Sequence, residues 1–251
     1  MLRLIRCLAC AASPFALLAC TPVPQAPSPD TLGNPLAVEA GYRLLFNDTL
    51  VGNAFFALRI DADHSYVLEA LTTPAGKMEQ AAGHEILESS RGNVDGALVQ
   101  PEEFTHSVID GEHIKVERLL FDWDKRLLRR IDGEATQTVS LQPGTHDRLS
   151  YLLAARHLAS AAGDAVEIEI ASPRASEKTR LELQDAEPIE VPAGRFRALG
   201  ITRATAENGE TRSLWFDVEA SPLPLRVSHS WDGNTVEMVL ETLSQAPGDP
   251  H

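Results

Sequence analysis

Short apolar runs, with branched or aromatic side chains alternating with polar ones, recur along most of the chain and are separated by turn dipeptides. Val166-Glu167-Ile168-Glu169-Ile170 puts three branched residues on one face and two acids on the other. That is the period-two pattern of a half-buried strand. Leu214-Trp215-Phe216-Asp217-Val218 and Leu225-Arg226-Val227-Ser228 are similar but less regular. Asp95-Gly96, Asp110-Gly111, Asp132-Gly133, Asn208-Gly209 and Asp232-Gly233 supply residues that tolerate positive φ, as tight hairpin turns require. The pattern predicts strands over 42–46, 54–60, 64–71, 85–90, 113–123, 126–131, 136–141, 166–170, 181–184, 189–191, 197–203, 211–218, 225–229 and 236–242.

The stretch 147–159 breaks this rhythm. It is rich in Leu, Ala and Arg, has Asp147 or Thr145 as a candidate N-cap, and meets Gly163 as a natural stop. Tyr151, Ala154, Ala155 and Leu158 fall on one helical face, which predicts packing against the sheet. The fold class expected is mainly β: a single antiparallel, strongly curved, half-barrel-like sheet with one helix packed near mid-chain.

The N-terminus reads differently. Met1-Leu2-Arg3-Leu4-Ile5-Arg6 carries two cations and no acid, and the apolar run after it is of signal-peptide length, too short to span a bilayer. Its end, Leu17-Leu18-Ala19-Cys20, resembles the lipobox of bacterial lipoproteins. That resemblance implies cleavage before Cys20 and acylation of Cys20, and Thr21 after it favours the outer membrane. Acyl burial contributes about 0.8 kcal/mol per methylene, so more than one chain gives a lasting anchor. The alternatives are an ordinary cleaved signal, releasing the protein to the periplasm, and an uncleaved membrane anchor. Pro22, Pro24, Pro27 and Pro29 then suit an extended tether. The organisation expected is a signal peptide over 1–19, a lipidated Cys20 and proline-rich tether over 20–38, one β-rich domain over 39–245, and a disordered tail over 246–251.

Composition narrows the function classes. The chain has 22 Lys+Arg against 36 Asp+Glu; loss of residues 1–19 removes Arg3 and Arg6, leaving 20 against 36 and a formal charge of −16. An acidic chain without a basic cluster is a poor nucleic-acid binder, because phosphate neutralisation supplies most of that affinity. Cys7, Cys10 and Cys20 all lie in the signal region or at its cut, so the mature domain has no disulfide, thiol nucleophile or thiolate metal site.

Catalytic constellations are sparse. His106, His113, His146, His157 and His229 are scattered, without zinc-site spacing, and suit surface or singly hydrogen-bonded positions. His146-Asp147 has the composition of an acid–base dyad, but at a helix start capping is the simpler role. Asp122-Trp123-Asp124 pairs acids with an aromatic, as carbohydrate sites do, and reads more simply as a hairpin tip. No Gly-x-Ser-x-Gly, Ser-x-x-Lys or phosphate loop is present, and no cofactor or metal is expected.

Several motifs in order resemble the Domain of Unknown Function 3108 family of bacterial envelope proteins. Tyr42, Gly52 and Tyr66 match its first three strands, and Gln100-Pro101-Glu102-Glu103-Phe104 matches its Pro–aromatic segment. Asp147-Arg148-Leu149-Ser150 matches its helix start. Pro192-Ala193-Gly194-Arg195-Phe196, Trp215 and Leu223-Pro224-Leu225-Arg226 match its C-terminal half. The resemblance runs from about Tyr42 to Leu240 and implies a curved antiparallel sheet, with no established activity or catalytic residues.

Three functions compete. The first is a non-enzymatic, membrane-anchored module holding a hydrophobic or lipid-like ligand in an apolar concavity. Phe46, Tyr66, Trp123 and Trp215 are its candidate lining residues. The second is a structural or assembly factor that recruits another envelope protein through a strand edge or acidic face. The third is a hydrolase of cell-wall or lipid material. The expected location is the periplasmic face of the outer membrane.

Overall fold

A computed structural model describes residues 34–76, 83–96, 98–162, 165–204, 210–218 and 221–247. The first arm comprises β1 (Leu36–Phe46), β2 (Thr49–Ile60), β3 (Ser65–Pro74), β4 (Glu85–Asp95), β5 (Leu98–Asp110), β6 (His113–Asp122), β7 (Leu127–Asp132) and β8 (Ala135–Ser140). The short β9 (Thr145–His146) leads into helix α1 (Ser150–Ala162). The second arm comprises β10 (Ala165–Ala171), β11 (Ser176–Leu183), β12 (Glu187–Val191), β13 (Gly194–Ala204), β14 (Thr211–Asp217), β15 (Arg226–Trp231) and β16 (Asn234–Pro247).

All sixteen strands form one open sheet, ordered β8-β7-β6-β5-β4-β3-β2-β1-β16-β15-β14-β13-β11-β10-β9, with β12 added onto β13. The pairings are antiparallel, as expected, whether between hairpin neighbours or between the first and last strands, β1 and β16, with one exception. Because α1 carries the chain from β9 to β10, these two strands run parallel, Glu169 opposite Thr145 and Ile170 opposite His146. The sheet is therefore mixed.

Curvature follows from what lies at the two ends. Arg130 on β7 donates from Nη2 to Ser176 Oγ at 2.6 Å, although β7 and β11 are far apart in sheet order. Helix α1 touches β5 on one arm and β10, β11 and β13 on the other. The sheet thus wraps around α1 and brings its ends together without a hydrogen-bonded ladder between them.

This placement corrects the one-faced helix. Leu152 and Leu153 are buried along with Tyr151, Ala154 and Ala155, because sheet covers α1 from opposite sides; the Leu158 side chain lies outside the described residues. The interior is filled: Tyr42, Tyr66, Phe104 and Phe216 are its largest fully buried side chains. The Tyr42 hydroxyl donates to Pro224 O at 2.8 Å, and its ring meets Phe56 edge-on at 5.2 Å.

Turn chemistry follows the dipeptides, with Gly96, Gly111 and Gly133 at φ near 58°; Asn208-Gly209 and Gly163 lie outside the described residues. Strand β5 had no counterpart in the sequence pattern. Its Pro101 lacks an N–H and is accommodated at a register shift opposite Gly92. A Cβ on Gly92 would stand 2.1 Å from Gln100 O. The domain also exceeds 39–245, since β1 begins at Leu36 and pairs it with Pro247 at the end of β16.

Candidate functional site

Of several surface clefts, the most apolar lies at one end of the barrel-like body. The register places the start of β1 beside the end of β2, Leu36 opposite Ile60. The same end holds the start of β3, the end of β4, the start of β5 and the β6–β7 hairpin. A cleft of about 290 Å³ sits there. Val99, Leu141 and His146 form its buried floor; Leu98, Trp123 and Arg126 stand at its rim, Leu98 with 52 % of its surface exposed.

Local chemistry fixes each wall. In the β6–β7 hairpin, Asp122 Oδ1 accepts the Lys125 N–H at 2.9 Å and Asp122 Oδ2 accepts Lys125 Nζ at 2.8 Å. These bonds hold the Asp122 carboxyl below its usual range and raise the Lys125 ammonium. Arg126 closes the turn at φ 55°, its carbonyl accepting the Leu141 N–H at 2.9 Å. Trp123 donates from Nε1 to Pro101 O at 2.7 Å and stacks on Phe121 with centroids 6.1 Å apart.

His146 departs from the surface or singly hydrogen-bonded role expected of it. It is 2 % exposed, and its Nδ1 is buried without a hydrogen-bond partner among the described residues. Burial disfavours the imidazolium and lowers its pKa to about 4, so the ring is neutral at ordinary pH.

Asp147 caps the helix. Its Oδ1 accepts the Leu149 and Ser150 N–H groups at 2.8 and 2.9 Å, and Ser150 Oγ accepts the Asp147 N–H at 2.9 Å. Its Oδ2 accepts the Ser90 hydroxyl at 2.8 Å, and Ser90 Oγ lies 2.9 Å from the Tyr66 hydroxyl. Burial pushes the Asp147 carboxyl above its usual range against these bonds. Burial and the Asp147 charge both raise the Tyr66 phenol.

The four aromatics proposed to line a ligand are not brought together. Tyr66 is in the filled interior, bonded through Ser90 to Asp147. Phe46, 38 % exposed, lies at the β1–β2 turn, its centroid 6.4 Å from that of Trp231. Trp215 donates to Glu187 Oε1 at 3.0 Å beneath the Arg226 guanidinium, beside a separate cleft. Trp123 alone of the four borders the cleft with His146, and Cys20 lies outside the described residues.

Sequence reasoning passed over Leu98, Arg126 and His146 as site residues; only the adjacent motif His146-Asp147 carried a signal. Of the other histidines, His106 Nδ1 lies 3.0 Å from Glu88 Oε1, where Arg148 also pairs with Glu88. His229 lies against Trp231 with centroids 4.8 Å apart and ring planes tilted by 34°. Among the described residues no group of three or more His, Cys, Asp or Glu could hold a metal ion.

A family model described as "Protein of unknown function (DUF3108)" matches residues 42–241. No curated protein matches the chain. Among solved structures, the chain is similar to a beta-barrel-like protein of the Domain of Unknown Function DUF1849 from Brucella abortus. The two share 10 % identity over 84 % of this chain and 98 % of that one, with a TM-score of 0.56. That likeness shows the fold. A "putative lipoprotein" from Parabacteroides distasonis aligns over 86 % of this chain and 97 % of its own at 11 % identity, with a TM-score of 0.26.

Proposed function

The chain belongs to the DUF3108 family of proteins of unknown function, and from that starting point we propose that it is a membrane-anchored envelope lipoprotein that binds a small apolar ligand. The observation that carries the reading is the cleft bounded by Leu98, Val99, Trp123, Leu141 and His146. It is largely apolar, contains a neutral imidazole, and is built from the rigid ends of strands.

The anchor and the cleft fit one orientation. Leu36, where the described domain begins after the proline-rich stretch, stands at the same end of the sheet as the cleft. Acylated Cys20 would therefore tether the protein with the cleft toward the membrane, at most ~3.1 Å away per intervening residue of polyproline-like chain. No helix among the described residues is long and apolar enough to cross a membrane; attachment in this reading is through acylated Cys20. The site is non-enzymatic in this reading. Asp147 is engaged at the helix cap, and among the described residues His146 Nδ1 has no partner to poise it as a base.

Native mass spectrometry of the full chain, released from membranes in mild detergent, tests the reading. A co-purifying small ligand, lost from a Trp123→Ala variant, is expected. A ligand-free spectrum with no uptake of environment-sensitive apolar probes would sink it.

A second reading rests on β8, which ends the sheet with residues 135–138 exposed on both faces. An extended segment of another envelope protein could pair with that edge. Crosslinking in native membranes should then retrieve one reproducible partner through β8.

A further inference from the structure

One cation at the rim of the cleft stands unneutralised. Among the described residues no ion pair or side-chain hydrogen bond reaches the Arg126 guanidinium; of the two hairpin acids, Asp122 is held by Lys125, and the Asp124 charge also acts on Lys125. Its backbone is unusual as well. Where Gly96, Gly111 and Gly133 take the left-handed position of their turns, this hairpin places an arginine at φ 55°, pinned through the Leu141 N–H. That conformation disfavours every side chain with a Cβ. Such strain persists where surrounding structure over-determines it, and it gathers at ligand sites.

The other walls supply no charge. Leu98, Val99, Leu141 and Pro143 are aliphatic, Trp123 directs its N–H to Pro101, and His146 stays neutral. An apolar slot with one unpaired arginine at its mouth suits a molecule that is apolar along its length and anionic at one end. On a chain of formal charge −14, the general field repels anions, so recognition of the head falls to this one guanidinium. Its planar fork can bond a carboxylate or a phosphate through two oxygens.

We infer that the ligand is an anionic amphiphile, its chain lying against Leu98, Val99, Trp123 and Leu141 and its carboxylate or phosphate held by Arg126. This rests on the cleft being the binding site. Fatty acids and anionic lysophospholipids share the chemistry, and both are available at a membrane.

The test uses the full chain carrying Cys20→Ser, so that no acyl group of its own competes, with decanoate, decanol and lysophosphatidylglycerol as probes in calorimetric titrations. Decanoate should bind about tenfold more tightly than decanol. Arg126→Gln should erase that preference, while Arg126→Lys restores part of it. Lysophosphatidylglycerol binding with the same Arg126 dependence identifies a phospholipid source, and decanoate binding alone identifies a free acid. Equal affinities for acid and alcohol, or a preference that survives Arg126→Gln, would overturn this inference and leave the cleft as a site. If no probe binds and Trp123→Ala changes nothing, the cleft reading itself falls.

Discussion

Removal of the His146 imidazole should make the protein more resistant to acid. The ring is 2 % exposed, with Nδ1 unpaired among the described residues, and its folded pKa is about 4 against 6.5 for the free side chain. Between these values the unfolded chain binds a proton that the folded chain refuses, so stability falls as pH drops from 6.5 toward 4. A tenfold difference in proton affinity between the two states corresponds to about 1.36 kcal/mol. The loss is therefore about 3 kcal/mol once pH lies below 4 and about 2.5 kcal/mol at pH 4.5. His146→Leu retains an apolar side chain of similar size on the cleft floor and does not titrate. Urea unfolding of both proteins at pH 7.5 and 4.5, compared as a double difference, isolates the effect from every other group. Wild type should lose about 2.5 kcal/mol relative to the variant. Curves that move in parallel, within about 0.5 kcal/mol, would show that the imidazole is not buried and neutral and would refute the argument.

Asp147 makes the opposite linkage, because its folded pKa is raised: the folded state binds the extra proton, and stability rises as pH falls through the window above 3.8. Asp147→Asn should flatten that gain in the same unfolding series, at a cost of about 1 kcal/mol from weakened hydrogen bonds. Asp147→Ala should cost about 3 kcal/mol by losing the cap and leaving buried donors unpaired. Gly92→Ala would push a Cβ to 2.1 Å from Gln100 O; it should destabilise the domain by about 3 kcal/mol, read as a lowered melting temperature. Tyr42→Phe, which strands the Pro224 carbonyl, should cost about 1 kcal/mol by the same measurement. Cys20→Ser should shift the protein from the membrane to the soluble fraction on cell fractionation; unchanged distribution would count against the anchor.

Local periodicity determined a great deal. The alternation in Val166–Ile170, the Asp-Gly turns and the Asp147 cap each depend on neighbours a few residues away, so their elements could be read directly from the chain. Strand β5 could not, because Pro101 within it signals a break unless Gly92 on the partner strand makes room for a bulge. The parallel β9–β10 pair, the all-round burial of α1 and the joining of the sheet's ends through Arg130 and Ser176 depend on a long crossover and on accumulated curvature. No sequence period encodes those. The cleft is the extreme case. Trp123 stood out as an aromatic, but Leu98 lies in a stretch the pattern did not predict as strand, Arg126 reads as the first residue of a predicted strand and His146 as one more scattered histidine. Three separate segments supply these walls, 98–100, 123–126 and 141–146, and only the tertiary fold sets them side by side. Side-chain type and spacing determined the strands; long-range register decided which of their ends meet.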